Sequence, residues 1–235
     1  MSARRRFGFD SLRITRGALI IAALEIGLTL VWLMSSPSGR DSFLEWVAAS
    51  PSTVWGHGRI WTLATSPFLE VQFLTILLHL VVLWSFVPTL ERFWGTPRFL
   101  RFVAVTSVLG TAAGTAMGLL TGRDVPILGL SPFIYASIVA FGIVYARQPV
   151  QFFGVLPLTG RQLMYGILGF LVLFIGLEQQ WELGVGFAAS MIAAALMTSK
   201  SGPGQMYRRW RIKRARAHLS VVPAKPSKPR DQWLN

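Results

Sequence analysis

Six apolar stretches divide this sequence and constrain its fold more than any other feature: Ala18–Met34, Phe73–Pro88, Phe99–Leu120, Ile127–Tyr145, Leu163–Leu177 and Leu183–Met197. A helix that crosses the hydrocarbon core of a bilayer needs about 20 mostly apolar residues, with some tolerance for fewer. The last two stretches are short, and the polar run Glu178-Gln179-Gln180-Trp181-Glu182 between them predicts a tight turn at the interface. Charged residues make up only 14% of the 235 residues and hydrophobic ones 52%. A soluble domain carries about a quarter charged residues, so this chain cannot cover a water-facing surface. A soluble globule and a disordered chain are both excluded. The first stretch begins well inside the chain, carries Glu25 and lacks a small-residue cleavage site, so it reads as a span and not as a removable signal. The absence of cysteine excludes a disulfide framework, a thiolate metal site and a cysteine nucleophile.

The net charge of +13 arises from 23 Lys and Arg against 10 Asp and Glu, and its placement gives it a meaning. Arg4, Arg5, Arg6, Arg13 and Arg16 precede the first stretch. Arg92, Arg98, Arg101, Arg147 and Arg161 lie around the second and fourth loops, and a dense cluster follows from Lys200 to Arg230. Only Arg40, Arg59 and Arg123 remain for the other side, where acidic residues outnumber them. An even number of spans places both termini on one side, and the positive-inside rule makes that side cytoplasmic; a plasma (inner) membrane location is expected. The basic tails are expected to rest on anionic lipid head groups. No nucleic-acid module accompanies the charge, so nucleic acid is not an expected partner.

These features divide the chain into a basic cytoplasmic tail (1–17), a membrane domain (18–197) and a second basic tail (198–235) whose Pro-rich end is expected to be disordered. The external segment 35–72 contains Phe43–Val47, expected to lie as an amphipathic helix in the interface, with Trp46, Trp55 and Trp61 as anchors. Gly110, Gly114 and Gly118 recur every four residues and place one small-residue ridge on the third span, a packing surface for a neighbouring helix.

Polar side chains at membrane depth are costly, so each is a functional candidate. The set is Glu25, Thr75, His79, Ser131, Tyr135 and Ser190, with Glu70 near the external interface, where it is expected to stay hydrated. Neither a cofactor nor a metal is expected. No two of the three histidines, His57, His79 and His218, share a helix face, and no phosphate-cradling glycine loop is present.

The run Trp61-Thr62-Leu63-Ala64-Thr65, followed by Phe68-Leu69-Glu70, Leu83-Trp84 and Leu90-Glu91 with Gly95, and later Gly129-Leu130-Ser131 with Tyr135, resembles the rhomboid superfamily of intramembrane serine proteases. The resemblance extends without a gap from Trp61 to Gly95, covers all six spans and implies an all-α, six-transmembrane-helix rhomboid-like bundle. It places Ser131 at the family's nucleophile and Tyr135 at an aromatic that packs on the catalytic histidine. It also puts Glu70 and Thr75 at two histidines, His79 at an asparagine that helps bind the oxyanion, and Ser190 at the histidine base. Pro132 replaces the glycine after the nucleophile, and Thr62 the arginine after the external tryptophan.

A serine hydroxyl needs a base within hydrogen-bond reach and donors for the developing oxyanion. With Ser190 at the position of the base, the resemblance implies a rhomboid-like pseudoprotease that binds transmembrane helices of partner proteins without cleaving them. Thr75, His79, Ser131, Tyr135, Ser190 and Glu70 would supply polar recognition. Two alternatives stand beside this expectation. One is an active intramembrane serine protease using Ser131 with His79; the other is a structural subunit of a larger membrane complex. Ser131 itself reads first as a helix-start residue, and His79 as a neutral ring hydrogen-bonded within the bundle, with Thr75 one turn earlier as a candidate partner.

Overall fold

The computed structural model describes residues 14–147, 149–152 and 156–199, so the expectations for most of the basic tails lie outside the described residues. The architecture is helical apart from one short hairpin, in which β1 (Pro149–Phe152) pairs antiparallel with β2 (Leu156–Thr159). Each of the six apolar stretches forms helix. α1 spans Arg16–Met34, and the second stretch forms α4 (Phe73–Ser85) and the start of α5 (Val87–Trp94). Then come α6 (Thr96–Thr121), α7 (Ser131–Val144), α8 (Gly160–Glu178) and α9 (Trp181–Thr198). α1, α6, α8 and α9 are long and apolar enough to cross a membrane; α7 is apolar but shorter. This is a multi-pass helical membrane protein.

Two stretches depart from simple spans. The second is interrupted at Phe86, because Pro88 lacks an amide hydrogen and its ring collides with the carbonyl four residues back. Before it, the short helix α3 (Thr62–Thr65) and the 3-10 turn Ser66–Phe68 meet α4 at a bend of 89°. In the fourth stretch the helix starts only at Ser131. Gly129 has φ +81°, and Pro132 occupies the first turn of α7, so the segment from Ile127 to Leu130 enters the bundle as non-helical chain. Ile127 N–H donates to Ala49 O at 2.8 Å, and Gly129 N–H to Ser66 O at 3.2 Å. The Ser66 hydroxyl donates to Ile127 O. The external segment is thereby stitched to the strap that carries Ser131.

α6 and α9 form the most extensive helix pair, with α7 packed on α9 beside it. The glycine ridge accounts for the closeness. A Cβ on Gly110 would lie 2.6 Å from Pro132 Cβ and 3.1 Å from Gly186 O, and one on Gly114 3.0 Å from Glu182 O. Backbone-to-backbone approach of this kind gives van der Waals contact where lipid offers no hydrophobic drive. The core around Phe99, Phe102 and Phe133 fills the space between α6 and α7, with edge-to-face ring contacts near 6.1 Å.

Outside the bundle, α2 (Pro37–Val47) is longer than the amphipathic segment expected, because Ser36 caps it through Gly39 N–H and Pro37 starts it. Trp46 stacks on Trp61 with centroids 5.9 Å apart, and the Arg59 guanidinium lies 4.6 Å from the Trp46 ring centroid. Trp46, Trp55 and Trp61 are all exposed. At the other end, Thr159 and Gln162 form a reciprocal capping box that starts α8. The polar run after α8 turns through Gln179, which adopts a left-handed φ of 51°, as the sequence indicated.

Candidate functional site

The site is assembled from three helices by helical periodicity and one sharp strap. In α1 the buried positions Gly17, Ala18, Ile21, Ala22, Glu25 and Thr29 form a single stripe, and their three-to-four-residue spacing puts Glu25 on the bundle side. In α4 the buried residues are His79 and Leu83, four apart, while Phe73, Leu74, Leu77 and Leu78 face outward. Ser131 stands at the first position of α7, placed there by Gly129 and Pro132.

These three polar side chains meet. The His79 Nδ1–H donates to Glu25 Oε1 at 2.6 Å, and the Ser131 hydroxyl donates to His79 Nε2 at 3.1 Å. Glu25 is fully buried and His79 is 4% exposed, while Ser131 is half-buried. A carboxylate can only accept, so it fixes the tautomer of the ring and leaves the Nε2 lone pair for the serine. Acid, imidazole and hydroxyl in this order are the arrangement that activates a serine. Glu25 Oε2 is buried without a hydrogen-bond partner among the described residues, so His79 is the side chain that holds this carboxyl group.

Glu70 departs from its expected hydrated position at the interface: it is 6% exposed. The chain between the 3-10 turn and α4 is non-helical, and the side chain folds back onto the two amides that follow it. Glu70 Oε1 accepts from Val71 N–H at 2.9 Å and Gln72 N–H at 3.0 Å, and Glu70 O accepts from the Thr29 hydroxyl at 3.0 Å. Its other oxygen covers the Cα of Gly129: a side chain there would collide with Glu70 Oε2 and come 3.4 Å from His79 Cε1.

The remaining candidates stand apart from this centre. Thr75, considered as a partner for His79, donates to Gln72 Oε1 at 3.2 Å, because three residues of helix bring it back to the N-terminus of α4. Tyr135 packs against Phe187 of α9 with the rings tilted by 46° and their centroids 4.7 Å apart. Ser190 is fully buried and donates to Phe187 O at 2.8 Å; its small size admits the close α6–α9 approach. Among the described residues no group of three His, Asp or Glu side chains has the arrangement of a metal site. The polar residue that sequence reasoning left without a firm partner was Glu25. The available signal was that two costly side chains, one in α1 and one in α4, had no other means of satisfying each other's burial.

The fold and these buried polar groups define an integral, multi-pass helical membrane protein. Residues 18–199 match the model of the family described as "Eukaryotic integral membrane protein (DUF1751)", and the chain belongs to that family. No curated protein matches the chain.

Proposed function

We propose that this protein is a rhomboid-like, six-span membrane serine hydrolase that cleaves peptide bonds within or beside transmembrane segments. Ser131 is the nucleophile, His79 the general base and Glu25 the group that orients the ring. The observation that carries the reading is the imidazole of His79, hydrogen-bonded on one nitrogen to a buried carboxylate and on the other to a serine hydroxyl. In this scheme the Ser131 proton passes to His79 Nε2 as Oγ bonds to the scissile carbonyl carbon, and Glu25 stabilises the imidazolium formed. Pro132 offers no amide hydrogen, so the oxyanion would draw on the N–H groups of Ser131 and Phe133 at the N-terminal end of α7, where helical amides lack intrahelical acceptors. The base comes from the second span, which accounts for the serine at position 190. Both termini face the cytoplasm in this reading, supported by the basic flanks of the spans, and a plasma (inner) membrane is the proposed location.

A second reading is favoured by Pro132 and Ser190: a pseudoprotease that docks partner transmembrane helices against the bundle and does not cut them. The two separate on reaction of the membrane-embedded protein with a fluorescent fluorophosphonate. The hydrolase reading expects Ser131 Oγ to bond to phosphorus with loss of fluoride, and labelling to vanish in Ser131→Ala and His79→Ala. Well-folded protein that labels no more than the Ser131→Ala variant would leave the pseudoprotease standing.

A further inference from the structure

His79 is approached on more sides than the acid–base–nucleophile line requires. Glu25 meets Nδ1 and Ser131 meets Nε2. The Cε1 atom between those nitrogens and the Glu70 carboxylate both border the place a Gly129 side chain would take, with Cε1 3.4 Å from its Cβ and Glu70 Oε2 nearer still. Gly129 is what lets these groups share the space, since a side chain there would displace the carboxylate. Glu70 is held where it is. Two backbone amides bind Oε1, and its peptide group exchanges hydrogen bonds with Thr29, one turn along α1 from Glu25. One helix stripe therefore positions both carboxylates.

We propose that Glu70 is a positioning residue of this site: its carboxylate faces the Cε1 edge of His79 and stabilises the imidazolium that forms when the ring takes the Ser131 proton. This rests on the serine-hydrolase reading for its catalytic meaning, but the Glu70–His79 coupling has a readout of its own. The C–H at Cε1 of an imidazolium carries much of the ring's positive charge, so a fixed anion at that edge acts on the protonated form and hardly on the neutral one. Two backbone donors on Oε1 hold the carboxylate in place. The ionisable groups that face the ring among the described residues are Glu25 from α1, Glu70 from the segment before α4 and Ser131 from α7. Tyr135, the ionisable side chain within α7, is turned to Phe187.

An opposite charge within about 4–6 Å shifts a titration by about one pH unit or more. The test compares wild-type, Glu70→Gln and Glu70→Asp proteins in nanodiscs by two measurements. The first is the rate of fluorophosphonate labelling against pH. In Glu70→Gln the acid limb should move about one unit to lower pH, and the labelling rate on the plateau should fall severalfold. Glu70→Asp, with its carboxylate drawn back from the ring, should move in the same direction by less. The second is the titration of the His79 ring, followed by NMR of 13C-histidine protein and assigned with His79→Gln. Its midpoint should fall by a similar amount in Glu70→Gln.

A labelled wild type with an unmoved acid limb and an unmoved NMR midpoint in Glu70→Gln would overturn the proposal while leaving the hydrolase reading intact. A wild type that does not label, but whose His79 midpoint depends on Glu70, would sink the hydrolase reading and keep the electrostatic pairing. If Glu70→Gln does not fold, Glu70→Asp carries the decision: an unshifted midpoint there refutes the proposal.

Discussion

The Glu25–His79 pair makes a demand on stability that can be separated from any demand on chemistry. Glu25 is fully buried, its Oε2 has no hydrogen-bond partner among the described residues, and its Oε1 is held by the 2.6 Å bond from His79. Replacing His79 by leucine keeps bulk in the bundle and leaves a carboxylate with nothing to accept from. Removing the hydrogen-bond partner of a buried carboxylate is comparable to breaking a buried ion pair, about 3–5 kcal/mol. Replacing both partners with apolar residues of similar volume is about neutral, or stabilising by about 1–4 kcal/mol. The double variant Glu25→Leu/His79→Leu should therefore be more stable than His79→Leu alone. Ser131→Ala loses one hydrogen bond at a half-buried group, about 0.5–1.5 kcal/mol, yet should abolish labelling. Equilibrium unfolding by SDS in mixed micelles, applied to the four corners of the Glu25/His79 cycle and to Ser131→Ala, supplies the numbers. A His79→Leu cost that is the same in wild-type and Glu25→Leu backgrounds would show that the two side chains do not interact, and the site built on them would fall.

Other consequences are open to the same assay. Gly110→Val would put a Cβ 2.6 Å from Pro132 Cβ and 3.1 Å from Gly186 O; overpacking should cost about 1–3 kcal/mol, read as a lower unfolding midpoint. Gly27→Ala in α1 has open space around its Cβ and should gain about 0.5–1 kcal/mol from helix propensity, which makes it the matched control. Gly129→Ala meets both the Glu70 carboxylate and a φ of +81°; a left-handed Ala costs about 1–2 kcal/mol, and labelling should drop at least tenfold as the strap shifts Ser131. Burial pushes the Glu91 carboxyl up, but hydrogen bonds from Thr15, Thr96 and the amides of Gly17 and Ala18 outweigh it and hold the group below the usual glutamate value. A depressed folded-state value means its stabilisation is complete above the unfolded value and disappears as pH falls through the lowered folded one. Wild-type protein should thus lose stability on acidification more steeply than Glu91→Gln; parallel curves would refute the assignment.

Hydropathy made the membrane class and the positions of the helices readable, because apolar runs of this length have few other uses. The glycine ridge was equally plain, since four-residue spacing projects onto one helix face and Gly110, Gly114 and Gly118 are all buried there. What stayed hidden were contacts between residues far apart in the chain. Glu91 reads as a local cap for the turn into α6, yet it accepts from Gly17 N–H at 2.9 Å and Ala18 N–H at 3.0 Å and so caps α1. Glu70 lies just before a span and looks exposed; the bend ahead of α4 buries it. At the centre, Ser131 with His79 was a stated alternative, and Glu25 could face Thr75, His79 or another interior group; no periodicity relates residues on different spans, and the structure selects His79. The start of the fourth helix was legible at Ser131, because Gly129 before it and Pro132 after it mark a helix N-terminus, although the apolar run itself begins at Ile127.

The pairing of Glu25 with His79 also bears on how the chain is made. During synthesis α1 emerges before α4 and brings a carboxylate toward the bilayer 54 residues ahead of the imidazole that will hold it. Throughout that interval α1 is a poor guest for lipid, because its one acidic side chain has no counterpart in hydrocarbon. Its lasting residence is secured only when α4 arrives. A helix translated ahead of its partner is therefore settled only after it, and the insertion machinery must shelter α1 until the second apolar stretch has been delivered.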